Sequence, residues 1–281
     1  MSFSHILVLA LVQGIAELLP VSSSAHVIVA EKLLGLDPTT PQMTLLLVML
    51  HTGTMLAVIT YFWKTWRATY FSSAQALRAN ALRLMLATLL TALVGLTVLQ
   101  LIKHAMARNS RGFEIESLFG NAKLMAAGLA AAGVLILVAA RFRPAGPGHL
   151  TVASAAWIGA VQGLCLPFRG FSRSGSTIST GLIAGVNRLR AEEFSFALAV
   201  LLTPAVLFRE VHRLYAAEGL SGAPGTDGWW PLFAPSVSGM ILSFLAGLLA
   251  LRWLSSWLEA GRWHLFGIYC LVASAAVLWL G

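Results

Sequence analysis

The sequence predicts an all-α integral membrane protein, with six transmembrane helices and two re-entrant helical pairs related as an inverted-topology repeat. Three observations predict it. The chain is 58% hydrophobic and only 11% charged, against roughly 25% charged residues in ordinary soluble domains. Six apolar stretches, near 43–63, 83–103, 121–141, 194–214, 236–256 and 262–280, are long enough to cross a bilayer core, which takes about 20 helical residues. A stretch beginning at Val12, VQGIAELLPVSSSAHVI, returns from Val161 as VQGLCLPFRGFSRSGSTI.

The elements follow in chain order. The apolar runs at 5–19 and 22–36 are shorter than a span and are interrupted at Pro20. They are expected to pair and to enter and leave the membrane on one side. The first run lacks the basic flank of a secretory signal and carries Glu17 and Pro20 where an apolar core should continue, so it is expected to be retained. The span at 43–63 leads into 64–83, which carries Lys64, Arg67, Arg78 and Arg83 and no acid. The loop at 103–120 is mixed, with Lys103, Arg108 and Arg111 against Glu114 and Glu116. After the span at 121–141, the segment 141–150 carries Arg141 and Arg143. A second broken pair follows at 151–168 and 174–187, interrupted at Pro167. The span at 194–214 leads into the balanced segment 209–233, and the last two spans are joined by 252–262, with Arg252 and Arg262 against Glu259. Basic loops stay in the cytoplasm, which puts 64–83, 141–150 and 252–262 inside and the C-terminus outside. The net charge of +8 reflects these loops rather than nucleic-acid binding. Cys165 and Cys270 lie inside apolar segments without metal-ligand spacing and read as buried filler.

The internal echo divides a single membrane domain, 1–281, into repeat one (1–141, pair at about 5–36) and repeat two (150–281, pair at about 151–187). The offset is 149 residues at Gln-Gly and 150 at the serines, so the second copy holds one extra residue between them. By the loop charges, the first pair dips in from outside and the second from inside. Inverted repeats of this kind place a site near the midplane, where broken helices meet. Irregular backbone at that depth is tolerated only when buried or lining a wet cavity.

The two turns carry the chemistry. Gln13 and Glu17 are four apart and share a helix face. Ser22, Ser23 and Ser24 follow Pro20 with hydroxyls and free backbone N–H groups, and His26 lies in the first turn of the next helix. An ionisable residue at membrane depth is costly and marks a functional site by default. In the second turn, GFSRSGST, Arg173 stands between Ser172 and Ser174, beside Ser176 and Thr177, at a helix start. A guanidinium fork, hydroxyls and a helix N-terminus together suit phosphate. A nucleophilic hydroxyl, an acid or base, and a cation are the parts of phosphoryl transfer. The carboxylate oxygens could also hold Mg²⁺ or Ca²⁺ against phosphate, and the apolar surround suggests a lipid substrate.

These residues resemble the undecaprenyl-pyrophosphate phosphatases of bacteria, the bacitracin-resistance type. The family's first motif is Glu or Gln, three residues, then Glu, leading into Pro-x-Ser-Ser and a His; here it is Gln13, Glu17, PVSSSAH and His26. Its second is Pro-Gly-x-Ser-Arg-Ser, two residues, then Thr; here RGFSRSGST supplies Gly170, Ser172, Arg173, Ser174 and Thr177. GTMLAVITYFW (53–63), AEEFSFALAV (191–200) and FGIYCLVAS (266–274) extend the likeness along the chain. Arg169 stands where the family usually has proline, which offers a second cation beside the turn, and Gln13 is the neutral variant, leaving Glu17 as the motif's only carboxylate.

The resemblance implies hydrolysis of undecaprenyl pyrophosphate to undecaprenyl phosphate and phosphate at the outer face of the bacterial plasma membrane, recycling the lipid carrier of cell-wall synthesis. It implies activation by a divalent cation, with Glu17 as its protein ligand, and leaves room for a homodimer among membrane lipids. It makes Ser23 the nucleophile, Glu17 its positioning group or base, His26 a proton carrier and Arg173 the pyrophosphate clamp. Gln13, Ser22, Ser24, Gly170, Ser172, Ser174 and Thr177 would line the substrate. Attack by water in place of serine stays open. A polyprenyl-phosphate transporter or flippase is the rival from another class, because inverted repeats are common in transporters and fold alone does not decide function. An anion channel would want a continuous polar stripe, which the spans lack.

Overall fold

A computed structural model describes residues 2–37, 40–107, 121–142, 148–218 and 230–280. Among these residues the structure is helical, with ten helices and no strand. In chain order they are α1 (Phe3–Leu18), α2 (Ser23–Leu33), α3 (Pro41–Tyr70), α4 (Ala74–Ala107), α5 (Ala122–Ala139), α6 (Val152–Cys165), α7 (Arg173–Ile183), α8 (Arg188–Glu218), α9 (Trp230–Glu259) and α10 (Trp263–Leu280). Each of the six apolar stretches falls within one helix to within three residues, 121–141 and 262–280 overrunning the ends of α5 and α10, and each broken pair resolves into two short helices.

Local chemistry explains the breaks. Thr40 caps α3, accepting from the Met43 N–H, with Pro41 at the first helical position, where its missing donor costs nothing. Thr151 and Ser154 form a reciprocal capping box at the start of α6. Ser172 caps α7 by accepting from the Gly175 N–H at 3.2 Å. Ser22 is different. It occupies the cap position of α2 but makes no side-chain cap bond, and its φ is +69°. The serines of the first turn therefore do not cap α2 in the ordinary way.

Length sorts the helices. The short ones, α1, α2, α6 and α7, have 16, 11, 14 and 11 residues. At about 1.5 Å per residue none reaches across a hydrocarbon core of about 30 Å. Four stretches are long and apolar enough to cross: Gln42–Tyr70, Ala74–Ala105, Ala122–Ala139 and Phe233–Glu259. The basic segment 64–83, expected as a loop, is mostly helix: α3 runs on to Tyr70 and α4 begins at Ala74. Most of the mixed loop 103–120, and Asp227 of the segment 209–233, lie outside the described residues.

Small residues set the packing, as they do wherever membrane helices approach closely. On α1, a Cβ built at Gly14 would lie 2.6 Å from Ala246 Cβ and 2.9 Å from the Ser243 carbonyl of α9. On α6, a Cβ built at Gly163 would lie 2.8 Å from both the Thr91 carbonyl and Val94 Cβ of α4, and 3.0 Å from the Gly95 nitrogen. Gly14 and Gly163 are the echoed glycines of the two Gln-Gly pairs. Their partners correspond in order: Thr91, Val94 and Gly95 on α4, and Ser243, Ala246 and Gly247 on α9, each 152 positions apart. A central apolar cluster, including Phe62, Trp66, Phe196, Trp263 and Phe266, also takes in Leu18, Leu19 and Val21 from the first turn and Ile178 from α7. It backs the place where the two turns meet.

Candidate active site

Both turns are shaped by backbone. Past α1, the Leu19 N–H still reaches the Ile15 carbonyl at 3.0 Å and the Val21 N–H bonds the Leu19 carbonyl at 2.8 Å, which tightens the exit. Ser22 then turns through the left-handed region. It is the one non-glycine residue with positive φ among the described residues, a conformation that costs energy and persists where the surroundings enforce it. His26 is part of that enforcement, because its Nδ1 lies 2.8 Å from the Ser22 carbonyl. The carbonyl only accepts, so Nδ1 carries the proton. In the second turn Gly170 has φ +105°, and a side chain there would collide with the Met125 carbonyl of α5.

The turns touch directly. Ser174 Oγ donates to the Leu19 carbonyl at 3.2 Å, and a Cβ on Gly175 would sit 3.2 Å from Pro20 Cβ. Cys270 of α10 donates through Sγ to the Pro20 carbonyl at 3.2 Å.

Glu17 is the hub. Its Oε1 accepts from Arg173 Nη2 at 2.9 Å. Its Oε2 accepts from Ser23 Oγ at 2.6 Å and from Gln13 Nε2 at 3.3 Å. His51 Nε2, from α3, stands 3.8 Å from the same oxygen. Arg173 has a second amino group, Nη1, that is buried without a hydrogen-bond partner. Glu17, Arg173 and His51 line a cleft together with Thr54 and Thr203, and Met55, Val58 and Val200 supply apolar wall. A carboxylate that holds a serine hydroxyl on one oxygen and a guanidinium on the other can accept the serine proton as an anion takes over the guanidinium.

The predicted residues divide accordingly. Gln13, Glu17, Ser23 and Arg173 converge. Ser172 caps α7 and Ser174 staples the turns. Thr177 is fully buried and bonds the Arg173 carbonyl at 2.8 Å and Ser195 Oγ at 2.6 Å, so it holds the arginine from behind. Gly170 packs on α5. Ser22 shapes the turn, and Ser24 has no bond to this group among the described contacts. His26 points elsewhere: its Nε2 lies 2.6 Å from the Tyr269 hydroxyl, with the rings stacked. Arg169 is within electrostatic reach of Glu31 on α2.

His51, Tyr269 and Ser195 were not singled out from the sequence. His51 had a readable signal, an ionisable residue in the middle of an apolar span. Tyr269 and Ser195 carried none beyond their place in the quoted stretches.

Fold and site define an all-helical integral membrane protein with the equipment of a phosphoryl-transfer enzyme, assembled from two broken helical pairs. Residues 6–276 match the family model described as "Bacitracin resistance protein BacA". The chain is 58% identical over 280 residues to "Undecaprenyl-diphosphatase 2" of Acinetobacter baylyi, covering 100% of this chain and 98% of that one. It is 33% identical over 285 residues to "Undecaprenyl-diphosphatase 1" of Burkholderia pseudomallei strain 1106a, covering 97% and 95%. The chain belongs to the bacitracin resistance protein BacA family.

Proposed function

We propose that this chain hydrolyses undecaprenyl pyrophosphate to undecaprenyl phosphate and phosphate, and so recycles the lipid carrier of bacterial cell-wall synthesis. Family membership and the names of both relatives support the reaction. The observation that carries the mechanism is the Glu17 carboxylate bound at once by Ser23 Oγ at 2.6 Å and Arg173 Nη2 at 2.9 Å.

In this mechanism the pyrophosphate enters the cleft and draws Arg173 from Glu17 onto its oxygens, where Nη1 also gains a partner. Glu17, relieved of its counter-ion, takes the Ser23 proton. Ser23 Oγ forms a bond to the terminal phosphorus as the P–O–P bridge breaks, and undecaprenyl phosphate leaves with the electron pair. Water then attacks the phosphorus on Ser23, Glu17 gives its proton back to the departing Oγ, and the remaining proton of the water leaves with the phosphate. Arg173 stabilises the charge on the transferring group in both steps. Mg²⁺ or Ca²⁺ would be held by Glu17 together with phosphate oxygens of the substrate and would neutralise their charge. Among the described residues no cluster of three potential ligands exists, and a single carboxylate plus phosphate is a donor set that suits Mg²⁺. Loss of activity on chelation, with recovery on adding either ion, checks that part.

The same proposal includes six spans, two re-entrant pairs, the inverted repeat and an active site that faces the outer side of the plasma membrane. The matched partners of Gly14 and Gly163, the shortness of α1, α2, α6 and α7, and the loop charges support it. The deciding experiment is phosphate release by purified protein in detergent from farnesyl and undecaprenyl pyrophosphate. A polyprenyl-phosphate flippase would bind both and release nothing. Ser23→Ala should fall below a few per cent of wild-type turnover while staying folded; higher residual activity would transfer the attack to water.

A further inference from the structure

Two hydrogen bonds tie the nucleophile's turn to α10. By backbone alone α2 starts weakly: the His26 N–H reaches the Ser22 carbonyl only at 3.4 Å, and the Ser22 hydroxyl makes no cap bond. The imidazole supplies what is missing. His26 Nδ1 donates to the same carbonyl at 2.8 Å. In the neutral ring Nε2 can then only accept, and the Tyr269 hydroxyl donates to it at 2.6 Å, with the two rings stacked. The next residue of α10, Cys270, donates to the Pro20 carbonyl at 3.2 Å. Consecutive residues of α10 thus grip the chain on both sides of Ser22, whose φ of +69° is rare for a residue with a side chain.

We propose that Tyr269 is a positioning residue for Ser23: through His26 it holds the Ser22 turn in its left-handed conformation and so keeps Ser23 Oγ on Glu17. This assignment rests on the reading of the Glu17–Ser23–Arg173 group as the active site. Backbone in a sparsely populated region persists where its surroundings over-determine it. Here the surroundings are the imidazole on the Ser22 carbonyl, the tyrosine that fixes the imidazole, and the thiol on the Pro20 carbonyl. Ser23 directly follows the strained residue. Relaxation of Ser22 to an ordinary negative φ would swing Ser23 away from its 2.6 Å bond to Glu17 Oε2. Both ring nitrogens of His26 are committed, so His26 acts on Ser23 through the backbone. The first half of the chain carries the nucleophile, and a side chain of the last helix sets its aim.

The test measures kcat and KM for phosphate release from farnesyl pyrophosphate, with unfolding midpoints in detergent, for Tyr269→Phe, Ser22→Gly and the two combined. Tyr269→Phe keeps the ring and loses the donor. It is expected to lower kcat about tenfold, the rate equivalent of one hydrogen bond, with KM within about twofold of wild type because Arg173 is untouched. Glycine adopts positive φ without steric cost. In a Ser22→Gly background the same change should therefore lower kcat less than about threefold relative to Ser22→Gly alone, the non-additivity of residues that act through one another. A hydroxyl that serves only the packing of α10 would lower the unfolding midpoint and leave kcat unchanged in both backgrounds. A Tyr269→Phe kcat that matches or exceeds wild type overturns the proposal, as does an equal loss in the two backgrounds or a Ser22→Gly protein too slow to measure. Should Tyr269→Phe fail to fold, the double variant decides. Folded and close to Ser22→Gly in kcat, it sustains the proposal; unfolded or far slower, it overturns it. Ser23→Ala, run alongside, separates the two levels. If it is fully active, the site as a whole has been misread; if it is inactive while Tyr269→Phe matches wild type, only the role of Tyr269 falls.

Discussion

The Glu17–Arg173 pair makes stability and activity respond differently to the same pair of substitutions. Arg173→Ala removes the partner of Glu17 Oε1 and leaves a carboxylate with Ser23 and Gln13 on its other oxygen. Stranding one member of a fully buried ion pair costs roughly 3–5 kcal/mol. Here the side chains are 24% and 19% exposed, and two hydrogen bonds remain, so about 2–3 kcal/mol is the expected loss. Adding Glu17→Gln removes the stranded charge, and the double variant should regain at least about 1 kcal/mol over Arg173→Ala, a coupling of ordinary size for contacting residues. Activity should not return. Arg173→Ala should lose about 10²–10³ in kcat, Arg173→Lys should fall between it and wild type because it keeps the charge and loses the fork, and the double variant should be at least as poor as Arg173→Ala. Denaturant unfolding in detergent, followed by tryptophan fluorescence, reads the first effect, and phosphate release reads the second. A double variant no more stable than Arg173→Ala would mean that the pair does not hold the turns together. Near-wild-type kcat in Arg173→Ala, with Arg169→Ala inactive, would move the clamp to the other arginine.

Two further outcomes test the architecture. In a background without Cys165 and Cys270, Cys at Ser72, between α3 and α4, should be labelled only from the cytoplasm, and Cys at Asp37 only from outside; labelling of both from one side would mean that α3 does not cross the membrane. Gly163→Leu should destabilise by at least about 1–3 kcal/mol, the usual range for overpacking, because even a Cβ there would stand 2.8 Å from the Thr91 carbonyl. An unfolding midpoint equal to wild type would show that α4 and α6 are free to separate.

Much of the arrangement was legible in the sequence because the bilayer restricts what an apolar run can do. Each of the six long runs lies within a single helix to within three residues, and Pro20 and Pro167 stand in the breaks of the two short pairs. Gln13 and Glu17 could be placed on one face by spacing alone, and they bond each other at 3.3 Å. Arg173 could be paired with an anion because a lone cation among such residues is costly. What could not be read was direction. Nothing in the spacing of His26 shows that its ring turns to Tyr269, 243 residues away, because that depends on where α10 packs. His51 needed the same information, since only the packing of α3 beside α1 brings it to Glu17. The extent of α3 and α4 was missed for a different reason: basic residues mark the cytoplasmic side but do not end a helix.

The pair at the centre of the site joins residues 156 positions apart, and that separation has a consequence for how the chain is made. Synthesis delivers the acid first. α1 is made before Arg173 exists, so its carboxyl group has no lasting partner until the second half of the chain is translated. A helix of 16 residues need not commit to crossing; it can rest at the interface, where water still reaches Glu17, until α7 arrives. A longer first helix would carry its charge into the lipid before anything was there to meet it, where an unpaired ionisable group is costly.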